Sequence, residues 1–411
     1  MKKGISRVGA ALFAVIAAAM LCVAAASATT DRAAASTLRI WTDKDRKAAV
    51  DKVATAWARS RGVDVQVVEK GFGDIRDKLG TVAADQAPDV IVGAHDWTGE
   101  LAANGLVQTL FPSKAIKKQF PRYTLDAFSY GGRLYGSPVA VENVGLIVNT
   151  RLVKVPKTFA QLEREALAFK RKGSDHLAIA VPQGSGGDAY HMYPFFSGLC
   201  GYIFARTKSG ALNAHKIGVA NAKFIKNASL IDKWNREGLI NSKVDYGTAK
   251  DAFLKQKAAF WITGPWESDT LKTSGLSIRI VQVPKIRCAS VPFLGVQGFL
   301  VTKYATTHGV TSLAKDLVAR YMMGASAQQD LAAANSRFPA NKTAGKRVND
   351  SLLAQFGRAG KGGVPMPNIP QMASVWSELG GAWVKATKGA GATPAASAFR
   401  AAARNIANKI G

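Results

Sequence analysis

An alternation of short apolar runs with helix-patterned segments, beginning near residue 37, constrains this chain more than any other feature. TLRIW (37–41) reads as a strand, and DRKAAVDKVATAWARSRG places Val50, Val53 and Trp57 on one helical face before stopping at Gly62. VDVQVV (63–68) reads as the next strand, DIRDKLGTVAADQ (74–86) as a helix, and DVIVG (89–93), just after Pro88, as a buried strand. A β-α-β-α-β order calls for a mostly parallel sheet flanked by helices, an α/β fold.

In open α/β sheets, ligands gather beyond the carboxyl ends of the strands. Ile40-Trp41 leads there into Thr42-Asp43-Lys44, and Ile91-Val92-Gly93 leads into Ala94-His95-Asp96-Trp97. Asp43, Lys44, Asp96 and Trp97 are therefore expected on one rim, although Asp43 also stands where a carboxylate would cap the following helix. His95 is expected to brace its loop.

From about residue 142 to 298 the pattern changes to long helical stretches separated by short strands, such as TFAQLEREALAFKRKG and AKDAFLKQKAAFWITG. A second lobe is expected, and 411 residues at 47% apolar content suffice for two domains of ordinary size. VPMPNIPQMASVW (364–376) then sets Pro365, Pro367 and Pro370 before helix-forming sequence with Met372, Val375, Trp376 and Leu379 at helical spacing. The prolines form a rigid entry to that helix, and Trp376 either packs in the core or faces a ligand. The Ala-rich last segment ends in a helix.

The first 28 residues have a basic head (MKKGISR), an apolar stretch and a small-residue exit at Ala26-Ser27-Ala28, the pattern of a cleaved secretory signal. An uncleaved membrane anchor and a lipid on Cys22 are the competing readings; Leu21 sits where a lipoprotein signal wants a small residue. Residues 29–37 are a linker. Beyond the leader only Cys200 and Cys288 remain, so one disulfide is possible in an oxidising compartment. The formal charge is +27, and +24 once Lys2, Lys3 and Arg7 leave with the leader. Such a field favours polyanions, but the cations are dispersed without an arginine-rich arm, which argues against nucleic acid.

IWTDKD, APDVIVGAHDW, GSPVAVENVGLIVN, DYGTAKDAF, WITGPW and MPNIPQM, in this order, closely resemble the maltose/maltodextrin-binding proteins that feed ABC importers, from about residue 37 onward. The resemblance implies two α/β lobes, each a mostly parallel sheet flanked by helices and both discontinuous in sequence: 38–141 with 299–345, and 142–298 with 346–411. Crossing hinge strands would join them, with the sugar held between. It implies polar sugar contacts at Asp43, Lys44, Asp96 and Glu142, aromatic ones at Tyr190, Tyr246, Trp266 and Trp376, and Met366 lining the same cleft. Partners would be an oligosaccharide and the membrane permease; a monomer is expected, with no cofactor and no metal. The chain departs from the pattern at Gly93, where the family has Trp, and at Trp97, where it has Arg. Asp188-Ala189-Tyr190-His191 stands in place of Glu-Pro-Tyr-Phe, after a glycine-rich insertion expected to be flexible; Asp188 is counted among the sugar-binding residues.

These residue types suit a pyranose. Carboxylates accept charge-assisted hydrogen bonds from its hydroxyls, each contributing about 1.5–3 kcal/mol, and aromatic rings cover its C–H faces. Trehalose- or isomaltose-type sugars are the alternative ligands. A two-carboxylate glycosidase and a non-specific polyanion binder are the rival classes. The five histidines include no HExxH pair, GSGGD lacks the Gly-Lys-Ser/Thr ending of a phosphate loop, and no GxSxG elbow occurs.

Overall fold

The computed structural model describes residues 37–411, Ser209 excepted. The leader, Cys22 and the linker up to residue 36 lie outside the described residues. Thr37 already belongs to the first strand. β1 (Thr37–Thr42) is followed by α1 (Lys44–Arg61), β2 (Asp64–Glu69) and β3 (Val90–Ala94). The register pairs β1 with β2 and with β3, both parallel. The apolar face of α1 explains this packing: Val50, Val53 and Trp57 are buried, Trp57 Nε1 donates to Asp316 Oδ2 at 2.9 Å, and Gly62 takes the left-handed conformation at φ 65°.

The helix expected over 74–86 is two short pieces instead, Phe72–Asp77 and a single 3₁₀ turn at Ala84–Gln86. Gly80 and the β-branched Thr81 and Val82 disfavour continuation, and Leu79 is buried at the break.

β4 (Gly136–Glu142) precedes β5 (Gly145–Asn149), with Asn143 and Val144 alone between them. The chain next forms α2 (Ala189–Gly198), α3 (Tyr246–Leu254), β6 (Phe260–Thr263), β7 (Ile278–Val281), β8 (Phe293–Val301), β9 (Phe338–Pro339), β10 (Val364–Pro365), α4 (Ala373–Thr387) and α5 (Ala395–Ile410), among other elements. One seven-stranded sheet runs β9-β4-β8-β3-β1-β2, with β10 beside the start of β8; a three-stranded sheet runs β6-β5-β7.

The expectation of mostly parallel sheets fails for the smaller one, where β6 and β7 are both antiparallel to β5. The antiparallel register pairs Thr263 with Gly145, so the end of β6, and with it Gly264-Pro265-Trp266, lies beside the start of β5 and the Asn143-Val144 connection. The larger sheet is mixed as well, because β8 is antiparallel to β3 and β4.

The glycine-rich insertion exposes Ser185 and Gly186 and touches α4 at its end. A Cβ on Gly187 would lie 2.1 Å from the carbonyl oxygen of Gly380 on α4, so backbone meets backbone there. Cys200 and Cys288 form a disulfide. α4 buries Val375, Leu379 and Trp383, and Trp383 meets Phe399 of α5 edge-on at 5.2 Å.

Candidate ligand-binding cleft

A cleft of about 990 Å³ opens beyond the ends of β1, β3 and β6. All eleven residues singled out in the sequence line it: Asp43, Lys44, Asp96, Trp97, Glu142, Asp188, Tyr190, Tyr246, Trp266, Met366 and Trp376. Their hydrogen bonds divide them into groups that face open space and groups already engaged with protein.

Asp43 caps α1, accepting from Asp45 N–H at 3.1 Å, and pairs with Arg46 at 3.2 Å. Both the cap and the rim position are therefore real. Burial lowers the Arg46 pKa, opposed mainly by the Asp43 charge. Glu142 accepts from Arg337 Nε at 2.7 Å and from Gln297 Nε2 at 2.6 Å. Burial pushes its carboxyl up, but the Arg337 and Arg46 charges and these two hydrogen bonds outweigh that and hold it below the usual range.

Asp188 caps α2 through the Tyr190 and His191 N–H groups and accepts from His191 Nδ1 at 2.6 Å. Burial raises the Asp188 pKa, yet the His191 charge and the hydrogen bonds from His191 and Tyr190 outweigh it and bring the carboxyl below its normal value. Its two oxygens are thus occupied by its own helix end, unlike a carboxylate held open for a ligand.

Asp96 differs. Burial raises its pKa to about 6, against the hydrogen bond from Trp376 Nε1 at 3.0 Å and the Arg76 charge, which favour the ionised form but do not offset it. His95 beside it braces the loop as expected: Nδ1 accepts from Val296 N–H and Nε2 donates to the Met366 carbonyl, each at 3.0 Å. This fixes the neutral tautomer, and burial lowers its pKa to about 4. The proline segment is held from two more directions. Asn368 Nδ2 reaches the carbonyls of Asp126, Ala127 and Ser129 at 2.8–3.0 Å, and the Asn368 carbonyl lies where a Cβ on Gly99 would stand, 2.3 Å away.

Tyr246 Oη donates to Glu267 Oε1 and accepts from Trp266 Nε1, both at 2.6 Å, and Lys250 pairs with Glu267 at 2.8 Å. Burial first, then the Glu267 charge, raises the Tyr246 pKa and keeps the phenol neutral. Its ring is locked beside Trp266, which keeps part of its surface open, as do Tyr190 and Trp376. Trp266 and Tyr190 approach at 6.3 Å, and Phe293 stacks behind Tyr190 at 6.3 Å and 19°.

Trp97 fills the room vacated at Gly93. A Cβ on Gly93 would lie 1.9 Å from Trp97 Cζ3, so the bare backbone there is the condition for the ring's position. Trp97 is nearly fully buried and supports the cleft wall more than it faces the opening.

Sequence reasoning missed Arg46, Arg337, Gln297, Glu267 and Phe72, which also line the cleft. Two had a visible signal: Glu267 follows Trp266 directly, and Arg46 lies one turn after Asp43. Arg337 and Gln297 come from distant segments and meet Glu142 only in the fold. Seven acidic and six Lys/Arg side chains line the cleft, a near balance in a chain of formal charge +27. The excess lies elsewhere. Residues 143–298 with 346–411 carry 31 Lys/Arg against 12 Asp/Glu, whereas 37–142 with 299–345 carry 20 against 15.

A mixed α/β scaffold with a wide, charge-balanced, ring-lined cleft defines a protein built to hold a solute. Residues 48–351 match the family described as bacterial extracellular solute-binding protein, and the chain belongs to that family. It is a binding protein and not an enzyme. Similar proteins include a maltodextrin-binding protein, MdxE, of Bacillus subtilis (strain 168), 27% identical over 394 residues, covering 89% of each chain. A galactooligosaccharide-binding protein of the same strain is 26% identical, covering 83% of this chain and 82% of its own. A maltooligosaccharide ABC transporter solute-binding lipoprotein of Streptococcus pneumoniae (strain ATCC BAA-255 / R6) is 26% identical, covering 89% of each. No helix among the described residues is long and apolar enough to cross a membrane.

Proposed function

We propose that the chain captures oligosaccharides of the maltose/maltodextrin class outside the cell membrane and delivers them to an ABC permease. The carrying observation is the cleft itself: three partly open rings, Tyr190, Trp266 and Trp376, beside carboxylates whose charge is matched by neighbouring cations. An uncharged ligand with apolar faces and hydroxyl edges fits that surface; a polyanion gains little from it. The names of relatives that bind maltodextrin and maltooligosaccharides favour the same class.

Residues 38–141 with 299–345 form one lobe in this reading, and 142–298 with 346–411 the other. Asn143-Val144 is then one of the crossings about which the lobes close, and contacts from both sides of the ligand favour the closed state that a permease reads. The leader directs export, and Cys22 would carry a lipid if the mature protein is anchored.

A second reading has specific support. Trp97 replaces a ring expected at 93, which reshapes one wall, and a galactooligosaccharide-binding relative is as similar as the maltodextrin-binding one. Calorimetric titration with maltose, maltotriose, trehalose, isomaltose and a galactooligosaccharide separates the two. Replacing both Trp266 and Trp376 by Ala should abolish measurable binding of whichever sugar binds. Retained affinity in that variant would refute the carbohydrate reading.

A further inference from the structure

We infer that Phe72 is a stacking platform for an outer sugar ring and so sets the length of oligosaccharide the cleft prefers. This rests on the carbohydrate reading above and adds a subsite to it. Phe72 is 40% exposed and lines the cleft. The other large exposed apolar residues among those described, Phe111, Tyr123, Val155, Tyr202 and Phe338, do not line it.

The ring is propped in place. Trp97 lies beneath it, with centroids 4.7 Å apart at a tilt of 46°, and the Arg46 guanidinium carbon stands 5.0 Å from its centroid. Neither support can yield. Trp97 occupies the room left by Gly93, and Arg46 is buried and paired to Asp43 at 3.2 Å. Phe72 therefore cannot sink into the core to hide its exposed surface. Gly71 and Gly73 on either side carry no side chain that would shield it. An apolar ring kept in water is unfavourable until something covers it, and the C–H face of a pyranose is a matched cover.

The surrounding groups fit the rest of a sugar. Glu69, Lys70 and Arg76 line the same rim and offer acceptor and donors to its hydroxyls. Lys70 lies 4.8 Å over the Trp41 ring, which holds the strand-to-helix turn on which Phe72 sits. The exchange of a tryptophan from 93 to 97 thus has a second effect: it moves the buried ring under Phe72 and makes the outer rim aromatic.

The test compares wild type, Phe72→Ala and Phe72→Tyr by calorimetric titration with di-, tri- and tetrasaccharides of the maltose and galactose series. Phe72→Ala should weaken the tetrasaccharide by about tenfold while leaving the disaccharide unchanged, and Phe72→Tyr should keep the wild-type preference. Phe72→Ala forfeits the contacts with Trp97 and Arg46, so its melting temperature should fall by only a few degrees, about 2–4 °C, and a cooperative melt well above the assay temperature excludes misfolding as the cause. Equal losses for all lengths, or an unchanged tetrasaccharide affinity, would overturn the inference while leaving the carbohydrate reading intact. Binding of neither series by wild type would remove that reading, and the outer subsite with it.

Discussion

Trp376 Nε1 donates to Asp96 Oδ2 at 3.0 Å, joining the residue two beyond β3 to the helix that follows the proline segment. The carboxyl that accepts this bond is buried and titrates at about 6, above its ordinary value. An acid raised in this way favours the fold only while protonated. Its contribution is complete below about pH 4 and is lost as the pH rises through about 6. Asp96→Asn should therefore be more stable than wild type at pH 7, by up to about 3 kcal/mol, with the difference gone at pH 4. Urea unfolding at the two pH values measures it. The same variant should bind oligosaccharide less tightly, since an ionised acceptor is lost.

His95 titrates in the opposite sense. Its pKa is depressed to about 4, so the stability it contributes is present above about pH 6.5 and is lost as the pH falls through about 4. Replacing it by Ala leaves the Val296 N–H and the Met366 carbonyl without partners in the interior. The expected cost is about 2–4 kcal/mol at pH 7, and the wild-type loss of stability between pH 6.5 and 4 should be reduced in the variant. Thermal melts across that range check both effects.

Gly93 and Trp97 should behave as one unit. Gly93→Ala drives a methyl group into the indole and should destabilise by about 1–3 kcal/mol. Combined with Trp97→Ala, the cost of the two changes should be less than additive, because the ring that clashes is gone. A double-mutant cycle by chemical denaturation gives the coupling.

The Cys200–Cys288 disulfide spans 88 positions of sequence. Reduction, or Cys288→Ser, should lower stability by about 2–4 kcal/mol through the freedom restored to the unfolded chain. Melting with and without reductant tests this, and sugar affinity at 25 °C should be nearly unchanged, since neither cysteine lines the cleft.

The strand–helix alternation from Thr37 to Gly93 was legible because apolar periodicity and glycine stops are local signals. The break at Gly80 was not, since 74–86 keeps helical composition while Leu79 is drawn into the core. The antiparallel small sheet was equally hidden: direction is set by which distant segments pair with β5, and no residue within β5 records it. At the cleft, residue types gave the right neighbourhood for Asp43, Glu142 and Trp376. They could not show that Glu142 is shared with Arg337 and Gln297, nor that Asp188 turns back onto its own helix, because those partners are set by three-dimensional proximity.

The even charge of the cleft, set within a cationic body, separates two sensitivities. Ionic strength screens the outer field strongly and the short contacts of a neutral ligand hardly at all. Brine or fresh water should thus alter where the molecule lingers among anionic surroundings, while its grip on nutrient stays the same.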